Sequence, residues 1–174
     1  MLVSSIAMKD EQTFLMATPY SILRIAFTGT DYIYDDLETT EMSFDNLTYD
    51  SFINNRINKL YVDRKNKVVW LGTFGKGLLK SNMQDNQVKR ILLDKDIYNV
   101  NGVVQDAHGY VWLTTEYHGI WKSNSNQFSS ATKFSLWENS KSKGRYTIYR
   151  DRSGSLWIAD DEGVVQWLNP LSNH

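Results

Sequence analysis

There is no cysteine among the 174 residues, so disulfide bonds, thiolate metal sites and cysteine nucleophiles are excluded together. Proline is nearly as scarce, with two residues in all, which leaves long stretches free to donate their amides to hydrogen-bonded ladders. No apolar run approaches the ~18 residues of a membrane-spanning helix. The opening MLVSSIAMKDEQ has neither the basic start nor the apolar centre of a secretory signal. Neither sign of charge predominates: 19 Lys and Arg stand against 20 Asp and Glu, dispersed along the chain, for a formal net charge of −1. That balance provides no footprint for nucleic acid or an anionic membrane. A nucleophile elbow, a phosphate loop and zinc-ligand spacing are all missing, so an enzyme is not expected, and neither a cofactor nor a metal is called for.

What the chain has in quantity is aromatic side chains, six Trp, ten Tyr and seven Phe, which favour strands over helices. It also repeats itself. VVWLGTFGKGLLK at 68–80 is echoed by YVWLTTEYHGIWK at 110–122. Three blocks begin at Asp63, Asp106 and Asp151, and their tryptophans, Trp70, Trp112 and Trp157, are spaced by 42 and 45 residues. A fainter first copy, DEQTFLMATPYSILR, starts at Asp10, with Leu15 at the Trp position and Ser21 at the position of a later Gly.

The copies share one grammar. A β-rich run (SIAM, KLYV, GVVQ, YTIY) leads to the Asp, and two or three polar residues follow, with Gly109 or Gly154 in the later copies; this is turn chemistry. A short apolar run such as VVWLGT or SLWIAD reads as a buried strand. Next comes a loop closed by Gly77, Gly119 or Gly163 and a third strand, LLK, IWK or VVQW; VKRILLD and KFSLW in the spacers are candidate fourth strands. A period of 42 to 45 residues made of strand-turn-strand units is the spacing of four-stranded propeller blades. No helical periodicity is sustained. The predicted fold is therefore all-β: one domain over 1–174, a partial propeller with repeats at approximately 3–30, 57–93, 100–137 and 145–170.

The pattern D-x-x-G-x-x-W-[LI]-[GTA]-T-x-x-x-G-[LIV], clearest from Asp106 to Ile120, resembles the two-component regulator propeller repeat. Departures occur: the first copy lacks both Trp and Gly, the second inserts Lys67, and the fourth has Asp160 in place of Thr. Weak outer copies are usual in repeat arrays. The sialidase-type Asp box places Gly two and Trp five residues after its Asp, whereas Asp151, Gly154 and Trp157 lie at intervals of three and six; the Gly-His and Trp-Asp dipeptides of WD repeats do not occur in phase. The resemblance implies a periplasmic or extracytoplasmic sensor region, typical of gut Bacteroidetes, that senses polysaccharide breakdown products and is joined to the remaining polypeptide of a sensor histidine kinase. Because some related propellers are lyases, an enzyme is the alternative, and a protein-interaction scaffold a third.

Loops at the same repeat position emerge on one face of a propeller and here differ from copy to copy, which is how a scaffold carries a site. The candidate ligand residues are accordingly Tyr20 beside Pro19; Phe74 and Lys76; Glu116, Tyr117 and His118; and Asp160 and Asp161 with Glu162, with an oligosaccharide as the expected ligand. Leu15, Trp70, Trp112 and Trp157, flanked by apolar residues, are expected to pack between blades; Trp121, Trp137 and Trp167 fall outside that position. His108 and His118 lie in turns at opposite ends of a hairpin, which argues against a shared metal. The interval from Leu15 to Trp70 exceeds the others by about ten residues, and the excess sits in 28–50, where Asp31, Asp35, Asp36, Glu38, Glu41, Asp45 and Asp50 occur without a Lys or Arg; a solvated acidic insertion is expected there. Finally, an arc of four blades leaves two apolar blade faces open, so self-association as a dimer is expected, with Trp167 and the N-terminal strand near the contact.

Overall fold

The structure, a computed structural model of the chain, describes residues 3–18, 21–37, 56–83, 88–91, 93, 97–123, 131–134, 144–163 and 165–169. Among these every regular element is a strand. Blade 1 is formed by β1 (Ser5–Met8), β2 (Thr13–Ala17), β3 (Ile22–Phe27) and β4 (Tyr32–Leu37), and blade 2 by β5 (Ile57–Asp63), β6 (Val68–Thr73), β7 (Leu78–Asn82) and β8 (Val88–Ile91). Blade 3 comprises β9 (Val100–Gln105), β10 (Val111–Thr115), β11 (Ile120–Ser123) and β12 (Ala131–Phe134); blade 4 comprises β13 (Tyr146–Arg150), β14 (Leu156–Asp160) and β15 (Val165–Leu168). All are antiparallel meanders in chain order. The chain is thus an all-β protein of propeller blades, one per sequence repeat.

Two spacers differ from their sequence reading. The acidic stretch 28–50 contains β4, paired with β3 from Ile22↔Leu37 to Phe27↔Tyr32, so its first part completes blade 1; the stretch from 38 onward, with Glu38, Glu41, Asp45 and Asp50, lies outside the described residues. The fourth strand sought in KFSLW begins two residues earlier, at Ala131, and Trp137 is outside the description.

The signature residues of the repeat turn out to build the two hairpin turns. In blade 3, Asp106 Oδ1 accepts the amides of His108 and Tyr110, at 2.9 Å each, while Oδ2 accepts the indole N–H of Trp112 at 2.8 Å. Blade 4 repeats this: Asp151 Oδ1 accepts from Ser155 N and Ser153 Oγ, and Oδ2 from Trp157 Nε1 at 2.8 Å. These bonds, led by the Ser153 hydroxyl and then the indole, hold the Asp151 carboxyl below its ordinary range. The six-residue interval is the reach of one carboxylate across the turn to the first outward tryptophan of the next strand. Gly154, at φ 90°, occupies a backbone region a side chain would strain. In blade 2 the inserted Lys67, itself at φ 55°, lengthens the turn, and Asp63 instead binds Asn66 through its amide and its side chain. The second turn is closed by threonine: Thr73 Oγ1 donates to Gly77 O at 2.8 Å and Thr115 Oγ1 to Gly119 O at 2.7 Å. In blade 1, Thr18 Oγ1 donates to Ser21 O, and in blade 4 Asp160 Oδ1 accepts the Glu162 amide.

The chain divides into two compact units, residues 1–91 and 92–174. In the first, β1 packs on β5, and Leu15, Ala17 and Ile22 of blade 1 share a core with Leu60, Val69, Leu71 and Leu79 of blade 2. Each such Leu or Val contributes about 1.5–3 kcal/mol on burial. In the second unit β13 packs on β9, and Ile148, Leu156 and Ile158 of blade 4 are buried. The fit at β9 is close. A Cβ on Gly102 would stand 2.5 Å from Thr114 Oγ1 and 2.8 Å from Ile148 Cγ2. Gly102→Ala is therefore expected to cost about 1–3 kcal/mol by overpacking, read as a lowered denaturant midpoint; an unchanged midpoint would mean that β13 is not seated on β9.

Trp70 and Trp112 are buried at 3% and 1% exposure, but Trp157 is 42% exposed. The expectation that all three pack between blades thus fails for Trp157: its indole makes the turn bond while its outer face is left uncovered.

Candidate functional site

The second unit brings several of the sequence candidates together around the start of β13. Glu116 directly follows β10 and is buried, paired to Arg145 through an isolated β-bridge. Its Oε1 accepts Arg145 Nε at 2.7 Å and its Oε2 accepts Asn99 Nδ2 at 2.7 Å. The Glu116 carboxylate raises the Arg145 guanidinium above its ordinary range, first through the hydrogen bond and then through charge. Both Glu116 oxygens are therefore committed, Oε1 tying blade 3 to the start of blade 4 and Oε2 holding the end of β10 to the residue before β9.

Tyr117 follows with φ 67°, is largely exposed, and donates its amide to Gly144 O at 3.1 Å. A tyrosine in this left-handed region is uncommon and carries a backbone cost. His118 is exposed; its Nδ1 lies 2.9 Å from Glu116 O, and its carbonyl accepts Trp121 Nε1 at 3.1 Å. These bonds hold the loop in one shape while leaving the phenol of Tyr117 outward.

Beside it an open cleft of about 310 Å³ is lined by Asn101, Arg145, Thr147, Asp160 and Asp161, among others. Within it the buried Asn101 Nδ2 has no hydrogen-bond partner in the protein, a costly omission unless something else accepts from it. Arg145 and the two carboxylates of Asp160 and Asp161 bring donors and acceptors to a lining to which Tyr146 and Ala159 add apolar surface. Such a set matches vicinal hydroxyl groups, each of which donates and accepts. Two carboxylates beside one guanidinium that is already paired leave an excess of negative charge, which disfavours an anionic ligand.

In the first unit, Phe74 and Lys76 follow β6. Arg56 stacks its guanidinium on the Phe74 ring at 5.1 Å, and the Lys76 amide donates to Thr73 Oγ1. Tyr20 and Pro19 lie outside the described residues. His108 and His118 sit in the turns at opposite ends of β10, whose five residues span about 17 Å at about 3.4 Å per residue, and no group of three or more potential metal ligands occurs among the described residues.

Arg145 and Asn101 were not singled out from the sequence. Arg145 lies 29 residues from Glu116, beyond any local pattern, and Asn101 sits inside a β run where alternation gives no hint of an unfilled donor.

No protein-family model matches the chain, and no curated protein matches it by sequence. Solved structures do resemble it. The extracellular domain of a protein designated a hybrid two-component system from B. thetaiotaomicron matches 97% of this chain over 23% of its own, with 18% identity and a TM-score of 0.68. A second such extracellular domain from the same organism matches 96% of this chain over 23% of its own, at 21% identity and a TM-score of 0.67. The computationally designed protein Ika4 matches 96% of this chain and 90% of its own, at 10% identity and a TM-score of 0.61. The likeness is one of fold, and the chain spans about a quarter of the natural sensor domains it resembles.

Proposed function

We propose that this chain is a non-catalytic, ligand-sensing propeller segment of a periplasmic two-component sensor histidine kinase, and that its ligand is a glycan fragment. The observation that carries the reading is that nearly the whole chain follows the fold of parts of two extracellular domains named for hybrid two-component systems. Fold alone does not assign function, and the reading draws its second support from the cleft in the second unit. There, a guanidinium and two carboxylates beside apolar surface offer donors and acceptors to a hydroxylated ligand. Signal output belongs to the remaining kinase polypeptide.

The test is calorimetric titration against neutral and uronate oligosaccharides, with chromatographic analysis for cleavage. Binding of a neutral oligosaccharide without new products is expected. Asp161→Asn should weaken it about tenfold or more, one lost hydrogen bond to a polar partner being worth roughly 1.4 kcal/mol. The double change Tyr117→Ala with His118→Ala should also weaken it, with an unshifted melting temperature. Lys76→Ala reports separately on the blade 2 loop. Turnover would make the chain an enzyme, and absence of any glycan binding would leave a scaffold.

A further inference from the structure

The turn between the second and third strands of blade 3 has a twin in blade 2. In both, a threonine amide donates to the carbonyl of a glycine four residues on, Thr73 to Gly77 and Thr115 to Gly119. The next amide donates to the residue just before the blade's first strand, Phe74 to Arg56 and Glu116 to Asn99. The middle residue of each turn is driven to a positive φ: Gly75 at 99° in blade 2 and Tyr117 at 67° in blade 3. Glycine adopts that region freely, whereas a tyrosine there is strained. Blade 3 thus carries a tyrosine where the turn calls for glycine.

Folding does not recover the cost. The Tyr117 side chain is 65% exposed, so it gains little from packing, and its phenol makes no hydrogen bond among the described residues. Backbone strain held in this way concentrates at binding sites.

The neighbours of Tyr117 set its ring at the cleft. Its amide donates to the Gly144 carbonyl at 3.1 Å, and Gly144 directly precedes Arg145 in the cleft lining. Gly144 also carries Asp161: a Cβ at 144 would overlap both oxygens of that carboxylate. No positive φ calls for glycine at this position, so its small size serves the carboxylate seated on it. The Arg145 guanidinium, held above its ordinary range first by the Glu116 hydrogen bond, is stabilised by Tyr117 and Asp161 as well. Ring and carboxylate are thus within electrostatic reach of one guanidinium.

An aromatic ring has an electron-rich face that attracts C–H groups. A pyranose has the matching form, with C–H groups over one face and hydroxyls around its edge. We infer that Tyr117 is the stacking platform of the cleft, its ring presented to the C–H face of a neutral pyranose whose hydroxyl groups meet the charged lining. This assignment rests on the reading of the cleft as a glycan site, and it makes the shape of the sugar ring the basis of selectivity.

Calorimetric titration with neutral gluco-, galacto- and manno-oligosaccharides, together with chemical denaturation, tests it on three variants of the whole chain. Wild type is expected to bind at least one of these sugars. Tyr117→Ala and Tyr117→Gly should each weaken that binding about tenfold, the loss of one aromatic contact, while Tyr117→Phe restores the ring and should recover most of the loss. Stability separates the two truncations. Tyr117→Gly should have the higher denaturant midpoint, because it relieves the backbone and Tyr117→Ala does not, the reverse of the usual order of these residues. Wild-type binding by Tyr117→Ala overturns the platform and leaves the glycan reading standing. Tyr117→Phe as weak as Tyr117→Ala does the same, since the hydroxyl would then be the contact. A glycine variant less stable than the alanine variant removes the strain and overturns the platform too. Binding of none of the sugars removes the glycan reading and the platform with it.

Discussion

Trp112→Ala is expected to lower stability by about 3–5 kcal/mol, the usual cost of emptying a large buried aromatic site. Trp112 is 1% exposed, its ring is flanked by the Lys122 ammonium, and its indole N–H is bound to Asp106. Truncation therefore removes packing and orphans a buried acceptor in one change. The same substitution at Trp157 should cost clearly less, because its ring is 42% exposed and its turn bond can be replaced by water. Tyr117→Ala should be close to neutral. Chemical denaturation of the three variants decides the matter. If Trp157→Ala proves as damaging as Trp112→Ala, the face of β14 that carries Trp157 is not open.

Asp106→Ala should cost about 1.5–4.5 kcal/mol. The carboxylate is buried and accepts three hydrogen bonds, from the amides of His108 and Tyr110 and from the Trp112 indole; net values of about 0.5–1.5 kcal/mol for each sum to that range. Asp151→Ala, in an exposed copy of the same turn, should cost less because water can replace the lost acceptor. Since Asp106 and Trp112 share a bond, the double variant should be less damaging than the two single changes added together, by about 1 kcal/mol or more. Strict additivity in a double-mutant cycle would show that the Asp to Trp spacing of the repeat is a packing coincidence.

Much of this architecture is legible locally because its causes are local. The turn after Asp106 is made by a carboxylate reaching residues two, four and six positions on, and the next turn by Thr115 bonding the carbonyl of Gly119. Both are short-range events, so they recur wherever the short pattern recurs, and the lengthened turn of blade 2 follows from one inserted residue, Lys67. The loop candidates fared unevenly for the same reason. Tyr117 and His118 do project from a β10–β11 loop, as their position after the strand implied. Glu116, one residue earlier, is spent on Arg145 and Asn99, partners too distant in sequence to be anticipated.

By itself, then, the sequence determined the number of blades, the placement of their inner strands and the chemistry of their turns, because each depends on groups a few residues apart in an extended chain. Only the tertiary structure decided which face of each blade is covered. Trp112 and Trp157 sit in the same motif with the same indole bond of 2.8 Å, yet one is sealed by the next blade and the other stands open. Burial is set by what another element places against a face, and no pattern inside the motif carries that information.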